Sequence, residues 1–145
     1  MSWYEKSGIE DSEIEDIILS YDIDREIIVE ARLTGEVEEL ISENADKFKL
    51  ILEDRKLELT VYHIIPFWRD GKLIEDNCGT VQVGDELLCI DPEELTASKK
   101  KVIEIEVGRT DNTPVRHPKS SNGYYFVNGI LLHDWVIING YSTYR

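Results

Sequence analysis

Tyr124-Tyr125-Phe126-Val127-Asn128-Gly129-Ile130-Leu131-Leu132-His133-Asp134-Trp135 is the stretch whose reading decides the fold. Its aromatic and β-branched run suits a pleated, half-buried surface. The run closes on Asn128-Gly129, a pair that tolerates the positive φ angles of a tight turn. It resumes as the apolar strand Ile130-Leu131-Leu132 and then delivers an imidazole beside an acid, His133-Asp134, followed by Trp135.

Upstream, the same texture repeats. Short apolar runs rich in β-branched residues occupy 17–21, 26–31, 48–52, 57–61, 80–83, 86–90 and 101–107, with 136–138 beyond the opening stretch. Turn residues separate them, among them Glu53-Asp54, Asp70-Gly71, Gly84-Asp85, Asn122-Gly123 and Asn139-Gly140. Many short strands punctuated in this way are the pattern of an all-β domain. The run 101–107 alternates polar and apolar and is expected to be a half-buried strand. Residues 36–48 carry Val37, Leu40, Ile41 and Phe48 at roughly helical spacing, so 36–42 is open between a short helix and a strand leading into a turn at 44–46. Asp91-Pro92-Glu93-Glu94 can begin a helical turn, with Asp as N-cap and Pro as first residue. Residues 96–101 (TASKKK) are expected to be an exposed connector.

The chain has 145 residues, which suits a single domain spanning 1–145. No apolar run approaches the length of a spanning helix, and the acidic start, MSWYEKSGIEDSE, lacks the basic-then-apolar plan of a signal peptide. A cytoplasmic location is therefore expected. The net charge of −14 repels phosphate backbones and anionic lipid, so neither nucleic acid nor membrane is an expected partner. The acids are spread along the chain and read as a solubilising surface, with a local cluster from Glu10 to Asp16 that could also dock a basic partner. Cys78 and Cys89 are the two cysteines; they are expected to be free, although a hairpin would let them face each other. No CxxC, paired His at ligand spacing or Gly-rich phosphate loop is present, so no metal and no cofactor is expected.

Four stretches, taken in order, resemble successive pieces of the Hint domain shared by inteins and Hedgehog-type autoprocessing proteins. They are Ser12 to Asp22 (SEIEDIILSYD), Leu57 to Phe67 (LELTVYHIIPF), Val81 to Leu88 (VQVGDELL) and the opening stretch, together spanning roughly 8–135. The second contains Thr60-Val61-Tyr62-His63, which matches the family's T-x-x-H motif. The last matches its C-terminal junction, where the pair is normally His-Asn. The interval between the third and fourth pieces holds only a connector and a strand pair, which resembles a mini-intein without an endonuclease. The implied fold is mainly β: a Hint-like horseshoe of bent antiparallel strands, with at most one or two short helices. In it the N-terminal segment and Leu131–Trp135 meet in the middle, and 136–145 form an extension.

What the resemblance implies for chemistry is mixed. In the family, the Thr and His of T-x-x-H polarise the N-terminal scissile peptide for an acyl shift onto a terminal Cys or Ser; Thr60 and His63 match by type and spacing. The family's first residue would fall before Met1, and Ser2 and Ser7 are not expected to replace it. At the other end His133 is retained, but the cyclising Asn has become Asp134 and Trp135 offers no nucleophile. The further His expected some ten residues before the last falls on Gly123 or Tyr124, and His117, beside Pro118, is expected to be a loop residue. Thr60, His63, His133 and Asp134 are thus expected to form a relic site, the mark of ancestry rather than activity.

The function expected is a non-catalytic Hint-like module acting as a structural or protein-interaction part. By resemblance to degenerate modules of bacteriophage tails, its partners would be proteins within a viral assembly and its location the virion. Trp3, Tyr4, Trp68, Trp135, Tyr141 and Tyr144 suit protein contacts. The alternative is an autoprocessing domain with slow self-cleavage at His133-Asp134.

Overall fold

The computed structural model describes residues 16–40, 45–60, 63–110, 114–134, 136–138 and 141–143. Among the described residues fourteen strands follow in order: β1 (Ile17–Asp22), β2 (Ile27–Leu40), β3 (Ala45–Ile51), β4 (Lys56–Thr60), β5 (Ile64–Arg69), β6 (Lys72–Asn77), β7 (Glu86–Asp91), β8 (Thr96–Lys101), β9 (Glu104–Thr110), β10 (Pro114–Ser120), β11 (Tyr124–Val127), β12 (Ile130–His133), β13 (Val136–Ile138) and β14 (Tyr141–Thr143). Among the described residues a 3-10 turn, Cys78–Thr80, follows β6. The mainly β expectation therefore stands.

Among the described residues every strand pairing is antiparallel. β1 and β10 flank β2, β4 and β9 flank β3, and a six-stranded sheet runs β11-β12-β5-β7-β8, with β6 on the other side of β5. The last hairpin turns as its sequence requires. Asn128 (φ 49) and Gly129 (φ 74) both take the left-handed conformation, and the register opposes Tyr124 to His133 and Val127 to Ile130.

The core has two clusters. One gathers Leu50, Leu57, Leu59, Ile65, Phe67, Leu87, Tyr125, Ile130 and Leu132 with both cysteines; the other joins Leu19, Tyr21, Trp68, Leu88, Ile90, Phe126 and Leu131. Strict alternation along β11 and β12 divides the hairpin between them: Tyr125 and Leu132 face the first, Phe126 and Leu131 the second. Trp68 is thus a core residue whose ring lies beneath Lys99, and not a free contact surface. Two polar clamps hold the loops. Arg69 makes a two-pronged bond to the buried Asp85 carboxylate at 2.9 and 2.8 Å, and Arg55 donates to the carbonyls of Ile90 and Gly129 at 2.9 and 3.1 Å.

Several local expectations change. Residues 36–40 continue strand β2, because pairing with β10 overrides the weak helical spacing. TASKKK is strand β8, not a connector; its lysines lie along β7 in a regular ladder, where pairing outweighs low β-propensity. The run 101–107 breaks at Val102-Ile103, where the Val102 amide bonds Asp85 and the Ile103 amide bonds Ile51, passing the chain from one sheet to another. Residues 80–83 form the end of the 3-10 turn and a loop, not a strand. Asp91 does cap the following amides, at 2.9 and 3.2 Å, but over a turn and not a helix. β5, β6 and β10 were not foreseen: Pro66 obscured the first, and the interval before β11 holds three strands.

Candidate functional site

Thr60 ends β4 and His63 immediately precedes β5, and the His63 amide donates to the Thr60 carbonyl at 3.2 Å. This brings the Thr60 hydroxyl within 3.2 Å of His63 Nδ1. Cys78 fastens the turn from below. Its amide donates to the His63 carbonyl at 3.0 Å and its thiol to the Thr60 carbonyl at 3.1 Å. The Asn77 side chain caps the Cys78–Thr80 turn by accepting from the Gly79 amide at 3.0 Å. A Cβ on Gly79 would stand 3.1 Å from the Phe48 ring, so glycine lets the turn pass close to that ring. Burial pushes the Cys78 thiol up to about 12, which leaves it a packing group and weak donor and not a nucleophile.

Sheet register brings the second pair of residues to the same place. Ile64, next to His63, pairs with His133 on one side and with Asn77 on the other. The T-x-x-H turn and the His133-Asp134 junction therefore sit at one end of the six-stranded sheet, although about seventy residues of sequence separate them.

His133 is 4% exposed and Asp134 wholly buried. His133 Nδ1 faces the main-chain carbonyl oxygen of Asp134, while Nε2 lies 3.4 Å from Glu75 Oε2. A carbonyl oxygen only accepts, so the Nδ1 contact is a hydrogen bond when that nitrogen carries the proton. Tyr124 packs edge-on against the His133 ring and donates its hydroxyl to Glu75 Oε1 at 2.5 Å. Burial, and next the bond to the Glu75 carboxylate, raises the Tyr124 hydroxyl well above the ordinary tyrosine range. Asp134 is tied twice. Its amide donates to the Gly123 carbonyl at 2.8 Å, and its Oδ2 accepts from the Ser120 amide at 3.0 Å.

A polar network behind the junction joins it to β1. The Ser20 hydroxyl lies 2.7 Å from the Tyr124 carbonyl and 3.0 Å from Asn122 Oδ1; the Ser120 hydroxyl donates to that same Asn122 oxygen at 2.8 Å. Asn122 also donates to the Tyr21 carbonyl at 3.1 Å. Ser20 is fully buried, and these partners from the far end of the chain satisfy its hydroxyl.

All four residues singled out in the sequence, Thr60, His63, His133 and Asp134, are thus brought to one region. Tyr124, one of the two positions where the further His was expected, is directly opposite His133. His117 is part of β10, paired with Val37, and not in a loop. Ser2, Ser7 and Trp135 lie outside the described residues. Glu75, Ser120 and Ser20 were missed: Glu75 is one acid among thirty Asp and Glu residues, and no local motif marks any of the three. Among the described residues, no three His, Cys, Asp or Glu side chains are grouped as metal ligands, and no helix is long and apolar enough to cross a membrane.

No protein-family model and no curated protein matches this sequence. Solved structures do match. An intein from a hyperthermophile aligns over 81% of this chain and 71% of its own, with a TM-score of 0.69 and 19% identity. The PabCDC21-1 intein aligns over 81% and 69%, with a TM-score of 0.71 and 17% identity. The bacterial intein-like domain from Clostridium thermocellum aligns over 87% and 86%, with a TM-score of 0.67 and 19% identity. These structures share the antiparallel all-β architecture built above, and the fold of this chain is therefore similar to that of inteins and intein-like domains.

Proposed function

We propose that this chain is a non-catalytic intein-like module that stays whole and serves as a structural or protein-interaction part. The observation that carries this reading is the state of Asp134. Its carboxylate is buried and bound to the Ser120 amide, and its own amide is bound to Gly123. An asparagine at this position would bring an amide nitrogen able to close a five-membered succinimide. A carboxylate closing the same ring forms a strained, energy-rich anhydride instead. A setting within a bacteriophage virion, or in its assembly, follows from the family resemblance alone and extends this reading.

A second reading, slow self-cleavage, is favoured by the contact of His133 Nδ1 with the Asp134 carbonyl. In that reaction an Asp134 carboxylate oxygen attacks its own main-chain carbonyl carbon, and the bond to the Trp135 nitrogen breaks. The amine leaves with a proton from His133, and water opens the anhydride to a terminal aspartate. Intact-mass measurement of the full chain over long incubation, with and without a thiol, separates the two. A stable full-length mass is expected and removes the cleavage reading; a fragment ending at Asp134 overturns the non-catalytic one.

A further inference from the structure

We propose that the outer edge of β8 is a docking site for an extended acidic segment of a partner protein. This rests on the interaction reading above and names its surface and the chemistry of its partner.

Among the described residues β8 pairs only with β7, so it ends the six-stranded sheet and its second side is an open strand edge. Ala97, near its start, packs against the second core cluster. Beyond it, Ser98, Lys99, Lys100 and Lys101 follow one another along a groove of about 820 Å³, which Glu53, Asp54 and Ile103 also line. An edge strand presents main-chain donors and acceptors that another extended polypeptide can match.

The lysines select the occupant. In a chain of net charge −14, Lys99-Lys100-Lys101 is the longest run of basic residues. Lys100 already has an anion, the Asp54 carboxylate at 2.5 Å, which Arg55 holds as well. Lys99 and Lys101 are exposed, and neither makes an ion pair among the described residues. The register sets them on one face, opposite Leu88 and Glu86 of β7, and Trp68 of β5 lies in the same row as Glu86. The Lys99 ammonium stands 4.6 Å over the Trp68 ring, a contact that leaves its charge without an anion. Residues two apart along a strand share a face and are separated by about 7 Å. A partner strand with acids at alternate positions therefore sets one carboxylate against each of these two lysines. Edge lysines turn away neutral and basic strands. An acidic strand reverses that sign, whereas a nucleic acid, which shares its charge, has no peptide groups to fill the edge.

Fluorescence anisotropy with the full chain tests this, using a labelled peptide of alternating Thr and Glu and the same peptide with Gln for Glu. The acidic peptide is expected to bind, less tightly as salt screens the pairs, and the Gln peptide to bind about tenfold more weakly or worse. Lys99→Glu/Lys101→Glu is expected to weaken the acidic peptide by a similar factor and to take up a peptide with Lys for Glu instead. Circular dichroism confirms that this variant is folded. Amide hydrogen exchange of the wild type supplies a readout that needs no variant: the acidic peptide is expected to slow exchange within residues 98–101. Absence of binding, equal binding of the Gln peptide, an affinity indifferent to the lysine changes, or unaltered exchange along β8 overturns the proposal. Tighter binding of an oligothymidylate of matched charge overturns it too. Each of these failures leaves the intact-mass result untouched, so the loss of this docking site is distinguishable from the loss of the non-catalytic reading.

Discussion

Tyr124 and His133 meet edge to face across the β11–β12 hairpin, with ring centroids 4.5 Å apart and ring planes at 72°. Both reach one carboxylate, Glu75, from opposite ends: the tyrosine hydroxyl at Oε1 and the imidazole at Oε2. The junction is thus framed by β6, β11 and β12 together, and a partly buried carboxylate is satisfied there by two side chains.

Tyr124→Phe keeps the ring packing and removes only the donor to Glu75. Leaving a largely buried carboxylate oxygen without its bond costs about 1–3 kcal/mol. Urea unfolding should show a lower midpoint with an unchanged slope. An unaltered midpoint would mean that the hydroxyl contributes nothing to the junction.

Asp134→Asn supplies an amide nucleophile without enlarging the side chain, and its carbonyl oxygen can still accept from the Ser120 amide. With His133 already on the adjacent carbonyl, cyclisation should release a peptide beginning at Trp135 and leave a succinimide-ended fragment, both visible by mass spectrometry. Adding His133→Gln should slow this by about 10²-fold or more, the scale of a lost general acid. A variant that remains whole for days would show that the scaffold does not support this step.

Cys78 and Cys89 are free and buried, and burial pushes their thiols up to about 12 and about 11. Thiolate is the reactive form. A disulfide-exchange reagent at about pH 8 should therefore label neither residue in the folded chain and both in urea. Fast labelling under native conditions would contradict the packing around the Thr60–His63 turn.

Asp85 supplies an acid-sensitive contribution. Its bond to Arg69 holds the carboxyl below the ordinary 3.8, so the folded state binds that proton more weakly than the unfolded chain does. The stabilisation is fully present above 3.8 and fades as pH falls through the lower folded value. Asp54 is also lowered, to about 2 by Arg55 and Lys100, but it is 43% exposed and salt should screen most of its effect. Asp85→Asn should therefore lower thermal stability near neutrality and narrow the gap to wild type as the medium is acidified below about pH 4. An equal gap at all pH values would exclude this pair as the source.

What the sequence determined by itself was the fold class and the chemistry placed at its ends. Tyr124 to His133 carries its own register, because Asn128-Gly129 fixes the turn and alternation fixes the faces, so the hairpin was legible residue by residue. Thr60 and His63 were legible too, as two groups a short turn brings together. Local rules failed where pairing partners lie far away in the chain. TASKKK has weak strand propensity and became β8 because β7 offered it a ladder; Pro66 discourages a strand and is nonetheless inside β5. Only the tertiary structure decided that Ile64 lies beside His133, which unites the two halves of the site, and that Glu75, Ser120 and Ser20 surround it. The reason is physical. A buried polar group must find a partner, and in an antiparallel sheet that partner is supplied by whichever strand the register sets alongside, whatever its distance in sequence.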